Sequence, residues 1–78
     1  MARSNLKSRS DAIRRRRLAK GWSQILLAEA SGLSVSSISG LERGNVFAHA
    51  GTFSSIARAL ECTVLDVAEL VELEGASA

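Results

Sequence analysis

The stretch from Ser23 to Gly44 limits what this chain can fold into more than any other. Ser23 is a natural helix N-cap, because its hydroxyl can accept one of the backbone amides left open where a helix starts. Leu27 and Ala30 are then expected to face inward, and Ala28 is small enough to admit a second helix closely. Gly32 falls where the chain must turn through a left-handed conformation, which glycine adopts without a Cβ clash. Leu33 plugs the turn and Ser34 caps the next helix. Ile38 and Leu41, three residues apart, give that helix a buried side, and Gly44 ends it.

Two short helices crossed through a glycine-containing turn form the helix-turn-helix pattern. The residues Ser23-Gln24, Leu27-Ala28-Glu29, Ser31-Gly32-Leu33-Ser34, Ile38 and Leu41-Glu42-Arg43-Gly44 resemble the Cro/C1-type (XRE) family. That family includes phage repressors, restriction-modification controller proteins and antitoxins. The likeness extends through Arg17, Lys20-Gly21-Trp22, Ile56-Ala57, Ala59-Leu60 and Thr63, so it covers roughly residues 11 to 70. It implies a lambda-repressor-like, all-α fold of five short helices about one core. It also implies sequence-specific binding of double-stranded DNA by a homodimer on palindromic operators, repressing or otherwise controlling transcription.

In such a domain the second helix of the motif lies in the major groove with its N-terminal residues on base edges. By position, Val35, Ser36, Ser39 and Gly40 face the bases. The resemblance assigns Gln24 to a phosphate, helped by the helix dipole, and makes Ser37, Arg43 and Asn45 further backbone contacts. Arg17 matches a family arginine that pairs with the Glu of the Leu-Glu-Arg-Gly motif, here Glu42. A structural ion pair between Arg17 and Glu42 is therefore expected. None of the base-facing residues can make the bidentate contacts that Arg offers guanine or that Asn and Gln offer adenine. Three routes to specificity remain: Val35 on a thymine methyl, single or water-bridged bonds from serines, and DNA shape.

Charge is unevenly distributed. Residues 1–20 carry eight Lys/Arg against Asp11, a balance of +7, whereas residues 61–78 hold five acids and no base, a balance of −5. One end is suited to a polyanion and the other is not. Residues 1–10 are short of apolar side chains and are expected to be a flexible basic arm. Arg3, Lys7 and Arg9 would either lie along DNA or simply belong to a frayed terminus. Residues 11–73 are assigned to the DNA-binding domain and 74–78 to a loose tail. Within the first helix, Arg14 to Arg17 cannot share one role, because successive helical residues step by about 100°. Arg16 can lay its stem over the core, while Arg14 and Arg15 are either solvated or near phosphate.

Seventy-eight residues make one small domain, and with one Trp and two Phe its core must be aliphatic. Trp22 is read as core. Ile25 and Leu26 are read as scattered surface hydrophobes rather than a protein contact. Thr52 is expected to cap a fourth helix with the stripe Phe53, Ile56, Ala57 and Leu60. Thr63 and Asp66 open a fifth, with Val64, Val67, Ala68 and Val71 inward. Leu65, Leu70 and Leu73 fall off that stripe and are expected to form the dimer interface.

Nothing in the sequence resembles a membrane span or a secretory signal, and with the lone Cys62 a reducing cytoplasm is expected. His49, the only histidine, has no carboxylate or thiol cluster beside it, so no metal or cofactor is expected. One His, one Cys and no paired carboxylates give an enzyme nothing to work with. Two other readings compete. An antitoxin would add a toxin as protein partner, and a basic helix at Arg14–Arg17 would dock on acidic protein or membrane without needing sequence preference.

Overall fold

The computed structural model describes residues 5–71. Five helices are present: α1 Ser10–Ala19, α2 Gln24–Ser31, α3 Val35–Arg43, α4 Ala50–Leu60 and α5 Val64–Val67. Three short strands, β1 Leu6–Ser8, β2 Phe47–Ala48 and β3 Ala68–Leu70, join in an antiparallel sheet of order β2-β1-β3. The fold is thus mostly helical but not purely all-α, which corrects the sequence expectation.

Local chemistry accounts for the helices at the centre. The Ser23 hydroxyl accepts the Leu26 amide at 3.1 Å and the Ser34 hydroxyl accepts the Ser37 amide at 3.0 Å. Gly32 closes α2 with φ at 76°, a value that strains any side-chain-bearing residue. Leu27, Ala28, Ile38 and Leu41 are buried, and Leu33 and Trp22 pack against them. Ala30 is exposed instead of inward, because α2 presents only the Leu27–Ala28 edge to the core.

All four residues of the α4 stripe, Phe53, Ile56, Ala57 and Leu60, are buried. Full burial of Phe53 or Ile56 stabilises the fold by about 1.5–3 kcal/mol each. Thr52 does not cap α4. The helix starts at Ala50, with the His49 carbonyl accepting the Thr52 and Phe53 amides at 3.0 and 3.4 Å. Strand β2 delivers the chain to His49, and that early arrival leaves Thr52 inside the first turn.

The sheet replaces the expected arm over Leu6–Ser8. Leu6 lies opposite Ala48 and Leu70, and Lys7 lies opposite Phe47 and Glu69. Ser8 is fully buried; its hydroxyl donates to the Gly44 carbonyl at 3.2 Å and accepts the Val46 amide at 3.0 Å. One buried hydroxyl thus ties two backbone groups of the segment after α3 to β1, each bond contributing about 0.5–1.5 kcal/mol. Arg9 is tied down as well, its Nε donating to the Leu65 and Ala68 carbonyls at 3.1 and 3.3 Å. Arg9 therefore has a structural role within the fold rather than belonging to a frayed terminus. Lys7 sits over the Phe47 ring, 5.3 Å from its centre.

Pairing with β1 also shortens the last helix. The Arg9 amide donates to the Val67 carbonyl and the Val71 amide to the Asn5 carbonyl, both at 2.9 Å, so the chain is extended over Ala68–Leu70. At the start of α5, the Asp66 carboxylate accepts the Thr63 amide and hydroxyl, each at 2.9 Å. These bonds, amide first, hold its pKa below the ordinary 3.8. A depressed carboxylate pKa stabilises the folded state above the ordinary value, and the benefit disappears as pH falls through the folded value. The melting-temperature gap between wild type and Asp66→Ala should therefore be constant above pH 3.8 and close below it. A gap that persists unchanged through strong acid would remove Asp66 from this role.

Candidate nucleic-acid interface

Helix α3 turns Ile38 and Leu41 into the core and offers its other side to solvent. Val35 is 41% exposed, Ser36 and Ser37 are exposed, and Ser39 and Gly40 are half-buried. A Cβ built on Gly40 would meet nothing within 4 Å. The missing side chain therefore serves no packing inside the domain and leaves room outside it. Beside Gly40 runs an open groove of about 210 Å³, bounded by Ser36 and Ser37 on α3 and by Val46, Ala48 and Thr52 across from it. Its lining mixes hydroxyl-bearing Ser36, Ser37 and Thr52 with apolar Leu41, Val46 and Ala48. Sequence reading gives Thr52 only as a helix cap and assigns Val46 no role, and it is the fold that brings both alongside α3.

The second part of the surface lies where α1, α2 and α3 meet. Arg17 Nε and Nη2 donate to the two oxygens of Glu42 at 2.7 and 2.9 Å, and Nη1 donates to the Trp22 carbonyl at 2.8 Å. Both side chains are buried, with 9% and 4% of their surface exposed. The carboxylate hydrogen bond raises the Arg17 pKa, outweighing burial, which lowers it. Gln24 Nε2 donates to the same carboxylate at 3.2 Å. Its side chain is thus held against the ion pair, at the N-terminus of α2, where the helix dipole favours an anion. Arg43 and Asn45, at the far end of α3, are exposed.

The remaining basic side chains divide by partner. Arg16 approaches Asp66 at 3.7 Å and Lys20 approaches Glu61 at 3.4 Å. Arg14 and Arg15 are exposed and make no ion pair or hydrogen bond among the described residues. Leu65 and Leu70 are 61% and 65% exposed, on α5 and on β3. Leu73, the third residue of the expected dimer interface, lies outside the described residues, as does Arg3. No helix among the described residues is long and apolar enough to cross a membrane.

Fold and surface together define a class: a helix-turn-helix domain whose two motif helices each bury one edge, with the outer face of the second exposed beside the groove. Residues 13–67 match the family model described as Helix-turn-helix, and the chain belongs to the XRE-type helix-turn-helix family of DNA-binding regulators. Two solved structures are similar to it. The restriction-modification controller protein C.AhdI from Aeromonas hydrophila is 35% identical, with a TM-score of 0.68 over 73% of this chain and 86% of that one. A hypothetical transcription factor, NHTF from Neisseria, is 30% identical, with a TM-score of 0.68 over 73% of this chain and 66% of that one. No curated protein matches the chain.

Proposed function

We propose that this chain is a sequence-specific transcriptional regulator that binds palindromic duplex operators as a homodimer, in the manner of a repressor or controller protein. The observation that carries the reading is the outward face of α3, with small side chains at Val35, Ser36 and Ser39 and open space where a Cβ on Gly40 would stand. Such a helix can sit deep in a major groove, where Val35 meets a thymine methyl and the serines make single or water-bridged bonds. Gln24 at the α2 dipole, with Ser37, Arg43 and Asn45 around α3, would hold the phosphates on either side. Leu65 and Leu70 support pairing of two copies, since two large exposed leucines on so small a domain favour association.

Selection of bound sequences from a pool of random duplexes tests the whole reading. The recovered sites should be palindromic, with half-sites centred about 34 Å apart or at a multiple of that spacing. Conserved base pairs should also include central positions that the protein does not touch. Recovery of single, non-palindromic sites would refute the dimer, and recovery of no consensus would refute sequence-specific regulation.

A further inference from the structure

Resting on that reading, we infer that Arg14, and neither Arg15 nor Arg16, is the α1 arginine that contacts the DNA backbone. The sequence places three unassigned arginines in succession, and the structure separates them by direction. Helix α1 buries Ser10, Ile13 and Arg17. Ser10 donates from its hydroxyl to the Leu41 carbonyl of α3 at 2.7 Å, and Arg17 grips Glu42 of α3. The flank of α1 that carries Ser10 and Arg17 is therefore the flank that meets α3. Arg14 completes this line at the i, i+4, i+7 spacing of one helical face. At about 100° per residue, Arg14 stands roughly 60° round from Arg17, on the side away from Arg16.

Arg16 lies on the other flank, towards α5, where Asp66 is 3.7 Å away. Arg15 points about 160° from Arg17, away from both neighbouring helices. Only Arg14 is exposed, unpaired among the described residues and directed along the side where α1 borders α3. Asp11, three residues earlier on α1, forms no ion pair with it.

Electrostatics give this position its purpose. At the junction of α1, α2 and α3 the Arg17 charge is cancelled by Glu42, and Gln24 is neutral. The junction by itself offers a phosphate a dipole but no net charge. Arg14 supplies the missing cation, and its fixed fork of donors suits phosphate oxygens. The role belongs to positioning rather than to base reading, because contacts to phosphate carry no sequence information.

The test uses the full chain and a mixed-sequence duplex, since phosphate contacts do not depend on sequence. Binding is followed by fluorescence anisotropy from about 50 to 200 mM salt. Arg14→Gln should flatten the dependence of log affinity on log salt by about 0.9 for each protomer bound, while Arg14→Lys restores most of the slope. The deficit of Arg14→Gln should therefore be about three- to fourfold larger per protomer at the low-salt end than at the high-salt end. Arg15→Gln removes the same charge from the far side and should leave the slope unchanged. Equal effects of Arg14→Gln and Arg15→Gln would mean a diffuse field rather than a contact, and would overturn the assignment. So would a wild-type slope for Arg14→Gln, or a fall in its melting temperature that matches its loss of binding. If the wild type itself binds no duplex, the proposed function fails first and takes this inference with it.

Discussion

Replacing Glu42 with alanine should lower the melting temperature by at least about 12 °C, from a loss of about 3–5 kcal/mol at roughly 4–8 °C per kcal/mol for a domain of this size. The cost comes less from the bonds lost than from the charge left behind. Arg17 is 8% exposed, so its guanidinium would stay in a poorly solvated site with only the Trp22 carbonyl for company. The Gln24 amide would lose its acceptor in the same step. A surface pair of the same kind would be worth only about 0–1 kcal/mol, which is the expectation for Lys20 and Glu61. Burial makes the difference. The double variant Arg17→Met, Glu42→Leu removes both charges and fills the volume, so it should recover most of the loss, because apolar replacements of buried pairs are often neutral or stabilising. Thermal melts of the three proteins decide the matter. A Glu42→Ala protein that melts like the wild type but no longer binds duplex would make the pair part of the DNA contact instead.

What could be read from the sequence followed from signals that are local and periodic. The caps at Ser23 and Ser34, the left-handed Gly32 and the α4 stripe each act within a few residues, and each is present in the structure. The sheet was invisible for the opposite reason. Its strands span only three, two and three residues, too few for alternation to register, and Leu6-Lys7-Ser8 has no β-branched or aromatic residue. What makes β1 a strand is its pairing with Phe47–Ala48 on one side and Ala68–Leu70 on the other, both distant in sequence. The same long-range pairing ended α5 at Val67, although Val71 continues its apolar spacing. Tertiary hydrogen bonds overrode local propensity at both ends of the domain.

The surface was legible to a smaller degree. Exposure of Val35 and Ser36 follows from the buried positions of Ile38 and Leu41 on the same helix, by rotation alone. The groove beside Gly40 does not, because Val46, Ala48 and Thr52 reach it through the β2 excursion. The direction of Arg14 was available in the spacing Ser10, Arg14, Arg17, yet it acquires meaning only when both outer members are seen to touch α3. Residues 1–10 read as a mobile arm because charge says nothing about pairing, yet Leu6–Ser8 form β1 and Arg9 donates to the Leu65 and Ala68 carbonyls.

The partition of the charges bears on how strongly salt should weaken binding. Counterion release predicts a loss of about 10³–10⁵ in affinity between about 50 and 200 mM salt for roughly six to ten phosphate contacts. Eight basic residues in the first twenty would argue for the upper end if all were available. They are not. Arg9 is bonded to carbonyls, Arg17 to Glu42, and Arg16 and Lys20 stand opposite Asp66 and Glu61. Among the described residues, Arg14 and Arg43 are the exposed cations proposed to face the duplex, so a dimer would bring four strong charges to it from these, with Lys7 over Phe47 as a further source. Neutral donors such as Gln24, Ser37 and Asn45, on the proposed reading, would hold phosphates without displacing many counterions. We therefore expect the loss to lie near 10³ rather than 10⁵ over that salt range. Anisotropy titrations on a selected operator at several salt concentrations measure it directly. An affinity that does not respond to salt would refute phosphate-driven binding. Equal affinity for heparin would reduce the basic surface to a general polyanion site. A loss near the upper figure would mean that pairs seen in the free protein, Arg16 with Asp66 or Lys20 with Glu61, open to engage the duplex.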